Sequence, residues 1–204
     1  MVSPSPYTIE ELGNDLLALL DHLAIDRVHL CGLSLGGLVA MWIGIHAPLR
    51  VRRIVLASTA ARIGTPAGWE PRIASVRHSG MDTLALSTIE RWFTCAYREK
   101  HPDEMKAIHQ MISATSVEGY IGCCEVLRNT DLRSDLSAIE AQLLVISGTH
   151  DPATPPSDGH ALQSFLRHAR YAELDASHLS AWEKPEEFAE AVLGFLEEEE
   201  RTDG

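Results

Sequence analysis

Basic charge is what this sequence most lacks. Its 204 residues hold 17 lysines and arginines against 29 acidic residues, a formal net charge of −12. A nucleic-acid binder needs clustered cations to neutralise phosphates, so that class is set aside. The same deficit argues against docking on an anionic membrane surface. Long apolar runs are missing too, since no stretch approaches the roughly 18–20 residues of a membrane span. The opening Met-Val-Ser-Pro-Ser-Pro has neither the basic nor the apolar region of a secretory leader. Cysteines are few, at Cys31, Cys95, Cys123 and Cys124, and none stands in a C-x-x-C pair. That spacing suits neither a disulfide framework nor a metal-ligand set. Free, mostly buried thiols in a reducing cytoplasm are expected, in a cytoplasmic protein without internal repeats.

What is there reads as an ordinary globular chain, 45% hydrophobic and 23% charged, long enough for one domain with a small appended layer. Thr8-Ile9-Glu10-Glu11 has the pattern of a capping box, and Ile9, Leu12, Leu16, Leu19, Leu20 and Leu23 follow at helical spacing, which predicts a helix over about 8–24. Arg27 to Cys31 reads as a short strand, Gly36 to Ala47 as a buried helix stopped by Pro48, and Arg53 to Ala57 as a second strand. Helix, strand, helix, strand is the rhythm of a parallel α/β sheet. From about 60 to 138 that rhythm stops. Helices are expected near 68–79, 82–93, 103–114 and 117–129, with no strand. The rhythm resumes with a strand at Gln142 to Ser147, a helix near 157–167, a strand at Ala169 to Leu174 and a last helix from about 185. The chain thus divides into an α/β core (1–59), a helical lid (60–138) and a second stretch of core (139–204). The closing run Glu197-Glu198-Glu199-Glu200 reads as a solvated helix end.

The chemistry starts at Gly32-Leu33-Ser34-Leu35-Gly36, a G-x-S-x-G pattern between an apolar strand and an apolar helix. That context marks a nucleophile elbow, where a tight turn exposes the serine above the sheet. Side chains at Gly32 and Gly36 would be expected to collide across the turn. The new helix aims its free N–H groups at the reaction centre, so Leu35 N–H is the candidate oxyanion donor. A serine hydroxyl needs a base to take its proton, and the base needs an acid to orient it. In this elbow architecture the chain order is serine, acid, histidine. His178 follows the strand ending near Leu174, and Asp151 follows the strand 142–147, both at the strand ends where open α/β sheets place their sites. Asp175 is too close to His178 to reach it from a separate loop, and Asp131 and Asp135 fall where the helical insert rejoins the core.

The chain resembles the 3-oxoadipate enol-lactonases, a family of α/β-hydrolases. The matching stretches include Gly32-Leu33-Ser34-Leu35-Gly36-Gly37, His46-Ala47-Pro48, Trp69-Glu70-Pro71-Arg72-Ile73, Arg91-Trp92-Phe93, Asn129-Thr130-Asp131-Leu132-Arg133 and Ala176-Ser177-His178-Leu179-Ser180. The resemblance implies an α/β-hydrolase fold and hydrolysis of a small carboxylate-bearing enol-lactone to 3-oxoadipate. It implies Ser34, Asp151 and His178 as the triad, with no metal or organic cofactor. A substrate carrying a free carboxylate further implies a cationic anchor in the lid, with Arg72 and Arg133 as candidates and Trp92 as a pocket wall. Members of that family carry further strands ahead of the nucleophile strand, including the loop with the second oxyanion donor. Relative to them this sequence reads as lacking its N-terminal strands, and the nucleophile strand is expected to have an open edge. Two other readings stay open: a general carboxylesterase or cofactor-free perhydrolase on the same triad, and an inactive fragment.

Overall fold

A computed structural model of the protein describes residues 6–197. The acidic run beyond Glu197 and the first five residues lie outside the described residues. Four parallel strands form one sheet in the order β1-β2-β3-β4, with β1 at Val28–Leu33, β2 at Val51–Ala57, β3 at Gln142–Gly148 and β4 at Ala169–Leu174. The two central strands are apolar along nearly their whole length and buried on both faces, as a parallel sheet covered on two sides requires. Alternate residues divide between two cores. Ile54, Leu56, Leu143 and Val145 join one cluster, and Val55, Ala57, Leu144 and Ile146 join another. That is the period-2 geometry of a strand.

The first cluster is covered by α1 (Ile9–His22), α2 (Leu35–His46) and α8 (Pro156–Phe165); α10 (Pro185–Glu197) covers the second with Phe195. Helix α1 starts at the expected capping box, with Thr8 Oγ1 accepting from Glu11 N–H and Glu11 accepting in return from Thr8 N–H. It packs closely on α2: a methyl group placed at Gly13 would fall inside the Trp42 ring, 2.1 Å from its nearest atom.

Between β2 and β3 the chain leaves the sheet for five helices: α3 (Pro66–Ser79), α4 (Asp82–Trp92), α5 (Cys95–Lys100), α6 (Pro102–Ser113) and α7 (Val117–Asn129). This layer has its own core of Ile73, Val76, Ile89, Phe93, Ile108, Ile112 and their neighbours. Each fully buried side chain of that size contributes roughly 1.5–3 kcal/mol, so the layer holds a core separate from the sheet. Leu179, from the segment after β4, packs against it.

The thiols differ from expectation. All four cysteines are free, but only Cys124 is buried, while Cys31 and Cys95 are exposed. Cys31 stands on edge strand β1 and Cys95 opens the short helix α5, positions that packing does not cover. Burial pushes the Cys124 thiol up to about 11. Strand β1 lies at the edge of the sheet, with β2 as its only strand neighbour among the described residues.

Candidate active site

Ser34 leaves the end of β1 and becomes the N-cap of α2 with φ +54° and ψ −115°. A non-glycine residue in that region carries a strain of about 1–3 kcal/mol and persists only where its surroundings impose it. Three contacts do so here. Ser34 N–H donates to the Ala57 carbonyl at 2.9 Å, while the Ser34 carbonyl accepts from Gly37 N–H at 2.9 Å and from the Thr59 hydroxyl at 2.7 Å. Gly32 is sterically obligatory, because a Cβ there would sit 2.2 Å from the Gly36 carbonyl oxygen. The second such glycine is Gly37, where a Cβ would meet Thr59 at 2.6 Å. A Cβ on Gly36 meets nothing within 4 Å, so the collision expected at that position does not occur among the described residues. Helix α2 turns Gly36 outward and Gly37 inward. The N–H groups of Leu35 and Gly36 open the helix without acceptors one turn back, as at any helix start.

Asp151 and His178 meet. His178 Nδ1 lies 2.7 Å from Asp151 Oδ2, both side chains buried. The carboxylate also accepts from Ala153 N–H at 2.8 Å and Thr154 N–H at 3.1 Å through Oδ1, and from the Thr154 hydroxyl at 2.7 Å through Oδ2. Burial by itself pushes the Asp151 carboxyl up. The hydrogen bond and charge of His178 and the donors from Thr154 and Ala153 outweigh it and hold the group below the usual carboxylate range. The other acids point elsewhere. Asp175 pairs with His150 at 2.8 Å, Asp131 with Arg133 at 2.6 Å, and Asp135 accepts from Ser134.

A second carboxylate, which sequence reasoning missed, fixes the segment around His178. Glu183, on the short helix α9 (Ser180–Glu183), accepts from Ser177 N–H at 2.8 Å, Thr94 N–H at 3.2 Å and the Thr94 hydroxyl at 2.6 Å. The Ser177 hydroxyl donates to the Arg91 carbonyl at 2.8 Å and Leu179 N–H to the Trp92 carbonyl at 3.0 Å. The histidine loop is therefore bolted to the end of α4. Leu33 and Leu179, flanking Ser34 and His178, line one apolar groove of about 440 Å³ with Ala181, Trp182 and Pro185.

Of the expected anchor residues, Arg72 lies inside the helical layer, donating to Tyr120 through Nε and to the Thr88 hydroxyl at 3.1 Å. Trp92 packs against the same layer. Arg133 lies apart from them, more than half exposed and clamped in two bonds to Asp131, whose carboxyl it holds down at about 2.

Residues 2–185 match the sequence profile of the alpha/beta hydrolase fold family. The chain belongs to that family. It is 40% identical over 191 residues to 3-oxoadipate enol-lactonase 2 of Acinetobacter baylyi, covering 94% of this chain and 72% of that protein. Among solved structures, the enol-lactonase from Burkholderia xenovorans LB400 superposes with a TM-score of 0.95 at 43% identity, over 97% of this chain and 76% of that one. A thermophilic esterase from Thermogutta terrifontis, solved with malate bound, superposes at 0.89 with 29% identity, over 96% of this chain and 74% of that one. With these relatives, the α/β-hydrolase chain is a carboxylic ester hydrolase, an enzyme for small esters or lactones. No helix among the described residues is long and apolar enough to cross a membrane.

Proposed function

We propose that this α/β-hydrolase opens 3-oxoadipate enol-lactone to 3-oxoadipate through a covalent acyl-enzyme on Ser34. His178 takes the hydroxyl proton as Ser34 Oγ attacks the lactone carbonyl, and Asp151 keeps the imidazole in the tautomer with Nδ1–H. Leu35 N–H, at the start of α2, stabilises the tetrahedral oxyanion. Collapse breaks the ring C–O bond; the proton passes from His178 to the departing enol oxygen, and the enol tautomerises to the ketone. Water, deprotonated by His178, then attacks the acyl carbonyl and releases the dicarboxylate with Ser34 restored. Arg72 anchors the carboxylate that the lactone carries, and Trp92 walls the pocket.

The observation that carries this reading is the buried Asp151–His178 pair at 2.7 Å, at the strand ends of the sheet that presents Ser34 in its strained turn. Similarity to two enol-lactonases of one bacterium, at 40% and 37% identity, supports the substrate. The test is turnover of the enol-lactone by wild type and Ser34→Ala. Loss of about 10⁴-fold or more in kcat is expected for the variant; equal rates would refute the nucleophile.

A second reading, hydrolysis of neutral esters on the same residues, is favoured by the apolar groove beside Leu33 and Leu179. A panel of p-nitrophenyl esters run beside the enol-lactone separates the two. Higher kcat/KM on the neutral esters would replace the lactonase reading.

A further inference from the structure

Four tryptophans occur in the chain. Trp42, Trp69 and Trp92 pack into the cores of the sheet and of the helical layer, whereas Trp182 keeps 47% of its surface exposed. It is nonetheless held in place. Its Nε1–H donates to Glu104 Oε2 at 3.1 Å, and the buried Phe93 ring meets it edge to face, with centres 6.3 Å apart and planes at 86°. Both partners belong to the helical layer, Glu104 in the first turn of α6 and Phe93 just past α4. Trp182 stands on α9, in the segment that follows His178.

Glu104 is itself fixed. The Tyr97 hydroxyl of α5 donates to the same oxygen at 2.9 Å, and His101 Nδ1 lies 3.0 Å from the other. The rings of Phe93, Tyr97 and His101 stack in series, with centres 5.5 Å and 4.1 Å apart. The bonds from Trp182 and Tyr97 hold the Glu104 carboxyl below the usual carboxylate range, so at neutral pH it is an acceptor only. One carboxylate of the helical layer thus sets the attitude of an indole on the histidine segment. That indole is the largest side chain in the wall of the 440 Å³ groove, beside Leu33, Leu179, Ala181 and Pro185. All five are apolar, and the volume is that of a small-molecule site. Leu33 precedes Ser34 and Leu179 follows His178, so an apolar chain on the acyl group at Ser34 has a wall to lie against.

We propose that this groove is an acyl-chain subsite for neutral esters of straight-chain apolar acids, with Trp182 as its specificity-determining wall and Glu104 as the residue that positions that wall. This rests on Ser34 and His178 as nucleophile and base, and it gives the neutral-ester reading its substrate class. Ser34 Oγ bonds to the acyl carbon, the alcohol leaves with the proton from His178, and water releases the acid and restores the serine. The apolar chain touches Trp182 throughout, so its contribution appears in KM more than in kcat.

The test gives p-nitrophenyl acetate, butyrate and hexanoate, and the enol-lactone, to the full chain and to Trp182→Ala, Trp182→Phe, Glu104→Ala and Glu104→Gln. In the wild type kcat/KM is expected to rise about two- to fourfold per added methylene, the upper figure being that of full burial. Trp182→Ala should lower the hexanoate-to-acetate ratio about tenfold, and Trp182→Phe should recover part of it. Glu104→Ala should lower the ratio about threefold, and Glu104→Gln, which keeps an acceptor for the indole N–H, should restore it. A ratio taken within one variant does not depend on how much of that variant is folded. A flat series in the wild type, or an unchanged ratio in Trp182→Ala, overturns the subsite; an unchanged ratio in Glu104→Ala overturns the positioning role. A rising series from a wild type that leaves the enol-lactone intact sinks the lactonase reading and spares the subsite. An enzyme that opens the enol-lactone and is indifferent to chain length does the reverse.

Discussion

The two ends of the candidate site are held by different physics. On the acid–histidine side, position is set by polar contacts: Asp151 takes one imidazole and three further donors, and Glu183 takes donors from both Ser177 and Thr94. On the serine side it is set by hydrogen bonds to the Ser34 backbone and, above all, by sterics. One strained backbone conformation is wedged by Gly32 and Gly37, with the Thr59 hydroxyl as its one side-chain hydrogen bond in the turn. A network of charge-assisted bonds tolerates small shifts of its members, whereas a turn in which a Cβ added at Gly32 or Gly37 would come within 2.2–2.6 Å of its neighbours tolerates no added atom there. The base end should therefore fail in chemistry first, and the nucleophile end in folding first.

Asp151→Asn is the largest expected break on the polar side. The amide keeps the shape but favours the wrong imidazole tautomer, and kcat should fall about 10⁴-fold with the fold intact. The same change sharpens a pH effect. Because the folded-state carboxyl is depressed, its contribution to stability is fully present above the ordinary value of 3.8 and is lost as the pH falls through the depressed value. Denaturation of wild type and variant should thus differ at pH 6 and converge toward pH 2.

On the steric side, Gly32→Ala drives a methyl into backbone and should cost about 3 kcal/mol or more, up to failure to fold. Gly36→Ala, one turn away in open space, should stay within about 0.5 kcal/mol of wild type in urea. Equal costs would erase the contrast between the two glycines.

Glu183→Ala is the smaller break. It strands Ser177 N–H and the Thr94 donors, which should cost about 1–3 kcal/mol and lower kcat about tenfold by loosening the His178 loop. Loss of stability with unchanged kcat would mean that the bolt serves the fold alone.

The α/β rhythm was legible because each element had a local cause. Helix α1 had its capping box, α2 its uninterrupted apolar run, β2 and β3 the continuous hydrophobicity of strands buried on both faces. Short α5 was missed, since six residues are too few to display a helical period, although Thr94 is a recognisable N-cap. The pairing of Asp151 with His178 was readable from chain order and strand ends. Thr154 was open to the same reading, as a hydroxyl three residues past an aspartate.

Glu183 and Thr59 left no such trace, because what they do depends on segments 89 and 25 residues away. Arg133 reads as an anchor by residue type, yet its neighbour two positions back, Asp131, already occupies it. The error over Gly36 and Gly37 is also tertiary in origin: which of two adjacent glycines faces Thr59 depends on how α2 leaves the strand.

Fluorophosphonate labelling followed by peptide mass spectrometry tests the central claim most directly. The account predicts one adduct, on Ser34, formed at least about 10³-fold more slowly in His178→Ala. An adduct on any other residue, or undiminished labelling of Ser34 without His178, would contradict it.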